Sequence, residues 1–392
     1  MKLTGKMLFL IISIVTAIIL ASVYSYYTKA PQFADFKFLS FSQVRDLETT
    51  PNCIFEEEIT YYRYTNPTGE AKNNKFGIYV YAENAKFFEL AQNLVNSNGG
   101  DWGYVLIPYN IKDTDSEKWE RVFSQLRSKH LIPVVQLYAE DLKDYKNSTE
   151  RSARFLDTFI WPTRERYISV YNEMNDANFW FGYTDPKEYA RVLDFTIDTF
   201  KKVNEHYKVM NGALNISAVG GNGYIDGFEF MRQMNEEKPG IFEKLDYWAS
   251  HPYPQPAFLG SPKDTGRNSI RAYDEELKYL KDELGVTKDL KVFITETGWP
   301  HAEGESYNSA YYEVDKVADL IESAYEEVWL KDNKVLAVMP FTIWYGKPYD
   351  HFAWVNSDNV PYKHYETVKD MKKVSGNPSV LERFTEQTKK CK

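Results

Sequence analysis

From residue 76 onward the chain alternates short apolar runs, rich in Val, Ile, Tyr and Phe, with longer amphipathic stretches. Runs of that length suit buried strands, and the stretches between them suit helices. Strands are expected at Phe76 to Ala82, Tyr104 to Tyr109, Leu131 to Tyr138, Tyr167 to Tyr171, Ile216 to Gly220, Tyr247 to His251, Val292 to Thr295 and Val335 to Trp344. Between the fourth and fifth of these, Tyr189, Val192, Leu193, Thr196, Phe200 and Val203 fall on one helical face. Asp185 is placed to cap that helix, Pro186 suits its first position and Glu188 would complete a capping box. Val314, Val317, Leu320, Ile321, Ala324 and Val328 mark a second helix by the same three- and four-residue steps. No hairpin turn joins successive strands, so parallel pairing with right-handed crossovers is expected. The fold class is therefore α/β, and a (β/α)8 TIM barrel over residues 76–365 is its natural form, with a doubly wound open sheet as the competitor.

The amino-terminal end obeys different rules. Lys2 and Lys6 precede an apolar run from Met7 to Val23, followed by Tyr24, Tyr26, Tyr27 and Lys29. The run is short for a spanning helix and long for a signal-peptide core, so residues 1–30 read as a membrane-targeting helix, either a signal-anchor or a cleaved signal peptide. Both readings place the rest of the chain outside the cell membrane or secrete it. Residues 31–75 form a stem of unread fold, and 366–392 a polar tail. Cys53 and Cys391 stand at opposite ends, which gives neither a disulfide framework nor a metal cluster and leaves their pairing open.

Composition narrows the partners. A net charge of -9 argues against nucleic acid, whose binders concentrate positive charge. The aromatic content of 16%, including 30 Tyr, supplies flat faces with polar edges that suit sugar rings as well as cores.

In a barrel, chemistry belongs to the polar residues that follow each apolar strand. Two acids interrupt such strand ends: Glu173 in YISVYNEMN after the fourth strand, and Glu296 in VFITETGWP after the seventh. The dipeptides Asn204-Glu205 and Asn235-Glu236 close amphipathic helices instead and read as solvated surface. Strands four and seven lie three steps apart around an eight-membered ring, so Glu173 and Glu296 would flank one cleft. Glycoside cleavage needs such a pair, one carboxyl protonated to assist the leaving oxygen and one ionised to attack or to activate water.

Asn172-Glu173, the ITETGWP segment around Glu296, SHPYP with His251 and Tyr253, and Trp344 together resemble clan A of the retaining glycoside hydrolases, (β/α)8 barrels with acids on strands four and seven. The resemblance covers about residues 76–350 and implies a general acid/base at Glu173, a nucleophile at Glu296, a sugar-binding Asn172 and a Tyr253 that orients Glu296. It also implies substrate contacts at His251 and Trp344 and a β-linked carbohydrate substrate. The clan's Arg after strand two and His after strand three are replaced here by IPYN through Asn110 and VVQLY through Tyr138, so no family within the clan is assigned.

The expected reaction is a double displacement without metal or other cofactor. Trp180, Phe179, Trp299 and Trp354 would extend the platform begun by Trp344, with ordinary loop packing as the alternative. The same acids would also serve a transglycosylase, and the same cleft a non-catalytic carbohydrate-binding barrel. A lyase or aldolase barrel is the further alternative, but this sequence offers no Schiff-base Lys or metal-ligand set at its strand ends. The GGNGY segment, Gly220 to Tyr224, reads as a tight turn after the fifth strand rather than a phosphate loop. Asp115 or Ser116 reads as a helix cap.

Overall fold

The computed structural model describes residues 53–65, 73–81 and 83–391. The apolar run of residues 7–23 and the cysteine side chains lie outside the described residues. Among the described residues no helix is long and apolar enough to cross a membrane. One compact unit spans Thr60–Thr385. Strand β1 (Cys53–Tyr64) pairs with the last strand, β10 (Leu381–Cys391), in a two-stranded sheet.

Within the compact unit, eight strands alternate with helices. The strands are β2 (Gly77–Tyr79), β3 (Gly103–Asn110), β4 (Leu131–Tyr138), β5 (Arg166–Val170), β6 (Tyr207–Asn211), β7 (Trp248–Ser250), β8 (Val292–Ile294) and β9 (Val335–Val338). The helices are α1 (Ala85–Val95), α2 (Ser116–Ser128), α3 (Tyr145–Asp157), α4 (Pro186–Val203), α5 (Gly227–Glu237), α6 (Ala272–Asp282), α7 (Val314–Ser323) and α8 (Lys363–Asp370). All neighbouring strands pair in parallel, in a five-stranded sheet β2-β3-β4-β5-β6 and a three-stranded sheet β7-β8-β9. One isolated parallel bridge spans each seam, Met210 to Tyr247 and Phe76 to Val338.

Each strand is buried on both faces, as parallel sheets covered by helices must be. Alternate residues divide between two clusters: Val105, Ile107 and Tyr109 of β3 face the helices, whereas Tyr104 and Leu106 join an inner cluster. All eight strands contribute to that inner cluster, through Tyr79, Tyr104, Ile132, Tyr167, Met210, Ala249, Phe293 and Ala337. Tyr167 on β5 and Phe293 on β8 meet there with ring centroids 5.0 Å apart, so these two strands face one another across the interior.

The expected fifth strand is misplaced. Residues Ile216 to Gly220 form a loop, and β6 lies at Tyr207–Asn211 instead. That strand carries a Lys and a buried Asn, which mask its apolar pattern; Asn211 exchanges bonds with the backbone of Ala249, accepting from its N–H and donating to its carbonyl. GGNGY therefore follows no strand; Gly221 and Tyr224 close a turn by mutual backbone bonds. Strand β9 also stops early, at Val338 rather than Trp344. Helix α4 begins as expected, with Asp185 accepting from the N–H groups of Lys187 and Glu188. The box is not closed, because the Glu188 carboxylate instead accepts from Tyr183 and from the Trp180 indole. Asp115 caps α2.

Candidate active site

The fourth and seventh interior strands are β5 and β8, and Asn172, Glu173 and Glu296 stand just beyond their carboxyl ends. A close approach of β6 shapes the first corner. A Cβ on Gly212 would lie 2.4 Å from the Val170 carbonyl oxygen and 2.6 Å from that of Tyr171, so only glycine fits. The Gly212 N–H donates to the Tyr189 hydroxyl, which donates to the Val170 carbonyl, so helix α4 ties the two strand ends together. The Glu173 N–H donates to the Ala213 carbonyl at 2.9 Å. Tyr171 (φ 69°) and Glu173 (φ 43°) both take the left-handed conformation, a local strain that such contacts sustain and that turns Glu173 inward. Asn175 accepts from the Asn215 N–H and donates to the Asn215 and Ile225 carbonyls, which fixes the following loop.

His251, beyond β7, joins the two acids. Its Nδ1 lies 3.0 Å from Glu173 Oε1 and 3.8 Å from Glu296 Oε2. Those two oxygens can therefore be no further apart than 3.0 and 3.8 Å laid end to end. The imidazole is fully buried, and its Nε2 has no hydrogen-bond partner among the described residues. On the other side of Glu296, the Tyr253 hydroxyl donates to Oε2 at 3.1 Å.

Burial pushes the Glu296 carboxyl up to about 7, and the charge of Glu173 adds to this, while the imidazole and the Tyr253 hydroxyl pull it down. Burial alone would lower the basicity of His251, but the Glu296 charge and the Glu173 bond outweigh it, and the net shift is upward. Burial and the two carboxylates raise the Tyr253 hydroxyl well above its usual range, so it remains a donor. Behind His251, Glu276 on α6 is buried and accepts from the Trp248 indole at 2.7 Å. Burial raises this carboxyl to about 7, eased by the Trp248 bond and by the His251 charge.

A line of neutral side chains leads to Asn172. The Tyr79 hydroxyl donates to Gln136 Oε1 at 3.4 Å, and Gln136 Nε2 donates to Asn172 Oδ1 at 3.1 Å. Among the described residues, the ion pairs of Glu173 and Glu296 are with His251 alone. Gln136 was detectable by the signal that marks the two acids, a polar residue inside an apolar run.

The tryptophans are not brought to the cleft. Trp180 is fully buried with its indole on Glu188, and Trp299 is buried with its indole on the Gly260 carbonyl. Trp354 packs edge-on against buried His364, and Phe179 is exposed. Trp344 is half-buried and stacks on Phe87 of α1, in the strand-to-helix layer. Because β9 ends early, Phe341 takes the inner position, with its ring 5.1 Å from that of Tyr79. Around it stand Tyr345, Tyr349 and Phe352, which lie in a loop that no strand or helix period marks.

No family model matches the chain, and no curated protein matches its sequence. Solved structures do match. A monomeric β-xylosidase from Caulobacter crescentus CB15 is 14% identical over 82% of this chain and 71% of its own, with a TM-score of 0.53. A family 51 α-L-arabinofuranosidase from Bifidobacterium longum is 12% identical over 81% and 79%, with a TM-score of 0.53. A glucosidase from Croceicoccus marinus is 14% identical over 79% and 69%, with a TM-score of 0.52. At these identities the likeness is one of fold, and the chain has the fold of glycoside hydrolases.

Proposed function

We propose that this chain is a retaining glycoside hydrolase whose eight strands close into a barrel, with Glu173 as general acid/base and Glu296 as nucleophile. The observation that carries the reading is the single buried imidazole nitrogen at 3.0 and 3.8 Å from the two carboxylates. That geometry accommodates the ~5 Å spacing of retaining enzymes and reaches only the bottom of the ~6.5–9.5 Å range of inverting ones. The bridges at both seams and the inner cluster fed by every strand favour closure.

Glu296 attacks the anomeric carbon while Glu173 protonates the departing oxygen, giving a glycosyl ester on Glu296. Glu173 then takes a proton from water, whose oxygen attacks the same carbon and releases Glu296. A buried nucleophile is harder to ionise, and His251, hydrogen-bonded to Glu173 and 3.8 Å from Glu296, is the cation that opposes that push. It serves the two acids, whereas sugar contact falls to Asn172, whose amide is oriented by Gln136. Tyr253 orients Glu296. The substrate is a carbohydrate, and residues 7–23 are read as the segment that brings the enzyme to the membrane or exports it.

The test is turnover of a panel of 4-nitrophenyl glycosides. Glu296→Gln should lose activity on the order of 10⁴-fold. Glu173→Ala should lose less on such activated leaving groups and be rescued by azide, which needs no base. A Glu296→Gln protein as active as the wild type contradicts the assignment.

A further inference from the structure

The site has an aromatic extension that the two-acid chemistry does not use. Tyr81, just beyond β2, is 46% exposed, and Tyr349, in the loop after β9, is 38% exposed. Tyr345 lies between them, its ring centroid 4.4 Å from that of Tyr81 and 5.5 Å from that of Tyr349. Both loop tyrosines contact Phe341, at 5.5 and 5.9 Å, and Phe341 reaches Phe352, which contacts Tyr253 beside Glu296. Packed rings therefore link Tyr253, beside Glu296, through buried Phe341 to the exposed tyrosines. Tyr138, the last residue of β4, is likewise 43% exposed.

We propose that Tyr81, Tyr345 and Tyr349 bind successive residues of a neutral glycan chain leading into the cleft, so that the substrate is an oligo- or polysaccharide rather than a terminal sugar alone. This rests on the glycosidase reading above. Each tyrosine offers a ring face for the C–H face of a sugar and a hydroxyl for its edge, a combination that an apolar protein partner would leave unused. The nearby cations are already neutralised: Lys118 holds Glu83 and Asp113 at 3.1 and 2.8 Å, and Lys347 holds Glu305 at 3.5 Å. Among the described residues, an anionic glycan would find Lys118 and Lys347 already paired.

The probes are the neutral hexasaccharides and disaccharides of the cello, laminari, xylo and manno series, with turnover and calorimetric binding both measured. For the series that the wild type uses, the ratio of hexasaccharide to disaccharide kcat/KM should fall about tenfold in Tyr81→Ala and in Tyr345→Ala. Tyr62→Ala, an exposed tyrosine on β1, is the control and should leave that ratio unchanged. An unchanged ratio in both trail variants overturns the trail and leaves the glycosidase reading intact. Hexasaccharide binding that is lost in Tyr81→Ala, but is never followed by cleavage, supports the trail and overturns the glycosidase reading. Neither binding nor turnover in any series overturns both.

Discussion

Two groups of buried histidines lie beyond the carboxyl ends of the strands and titrate in opposite directions. His251 sits between two buried carboxylates and holds its proton above the usual imidazole range. His301 and His364 are just as buried, with ring centroids 5.3 Å apart. His301 donates from Nε2 to the Ala353 carbonyl, 2.8 Å away, and the Glu303 carboxylate, 3.5 Å from its Nδ1, is partly in solvent. Burial lowers His301 to about 4, against only partial help from Ala353, and takes His364 well below its ordinary value. Burial disfavours the imidazolium in both places, so the carboxylates decide the sign. A buried charge persists where its partner is buried with it, as at His251 and not at His301 or His364.

Removing His251 should have the largest effect. His251→Gln leaves two carboxylates facing each other without a cation, so kcat/KM should fall about 10³-fold and its acidic limb should move to higher pH as Glu296 becomes harder to ionise. A variant with the wild-type pH profile would break the contrast between the two groups.

Glu276 is a buried carboxyl that titrates upward without forming an ion pair of its own. Its folded value of about 7 lies above the ordinary 4.5, so the folded state keeps a proton that the unfolded chain has lost. Its contribution to stability is therefore present at acid pH and is lost as pH rises from 4.5 to 7. Glu276→Gln should remove this loss, gaining roughly 3 kcal/mol on the wild type between pH 4.5 and 8 in urea unfolding. Parallel wild-type and variant curves would refute it.

The His301 group supplies the opposite slope. A folded value of about 4 against the ordinary 6.5 means that stability is full above 6.5 and is lost as pH falls towards 4. His301→Gln should flatten that acid loss by roughly 2 kcal/mol and leave the pH profile of activity unmoved. An unchanged acid slope would remove His301 from the comparison.

The sequence made the acids and their neighbours legible for a physical reason. Glu173, Glu296, His251 and Tyr253 are polar interruptions at the ends of apolar strands, and parallel topology alone carries strand ends to one place. Seven of the eight strands were legible on the same grounds; β6 was not, because its buried Asn211 serves the backbone of β7 and hides the apolar pattern. The burial of Trp180 and Trp299 was not legible. A tryptophan's chemistry suggests stacking, but whether a ring faces the cleft is set by loop geometry, which buried Trp180 and Trp299 and presented Tyr81, Tyr345 and Tyr349. The meeting of His301 with His364 likewise depends on chain paths that no local pattern encodes.

In the proposed reaction Glu296 forms a covalent bond to the sugar while Glu173 handles the proton. A 2-deoxy-2-fluoro glycoside with an activated leaving group, in the sugar that the aryl panel identifies, slows release of such an intermediate enough for it to be weighed and mapped. One sugar per chain is expected, attached to the peptide carrying Glu296, with activity lost in step with labelling. A label on any other residue, or full turnover with no label, would contradict it.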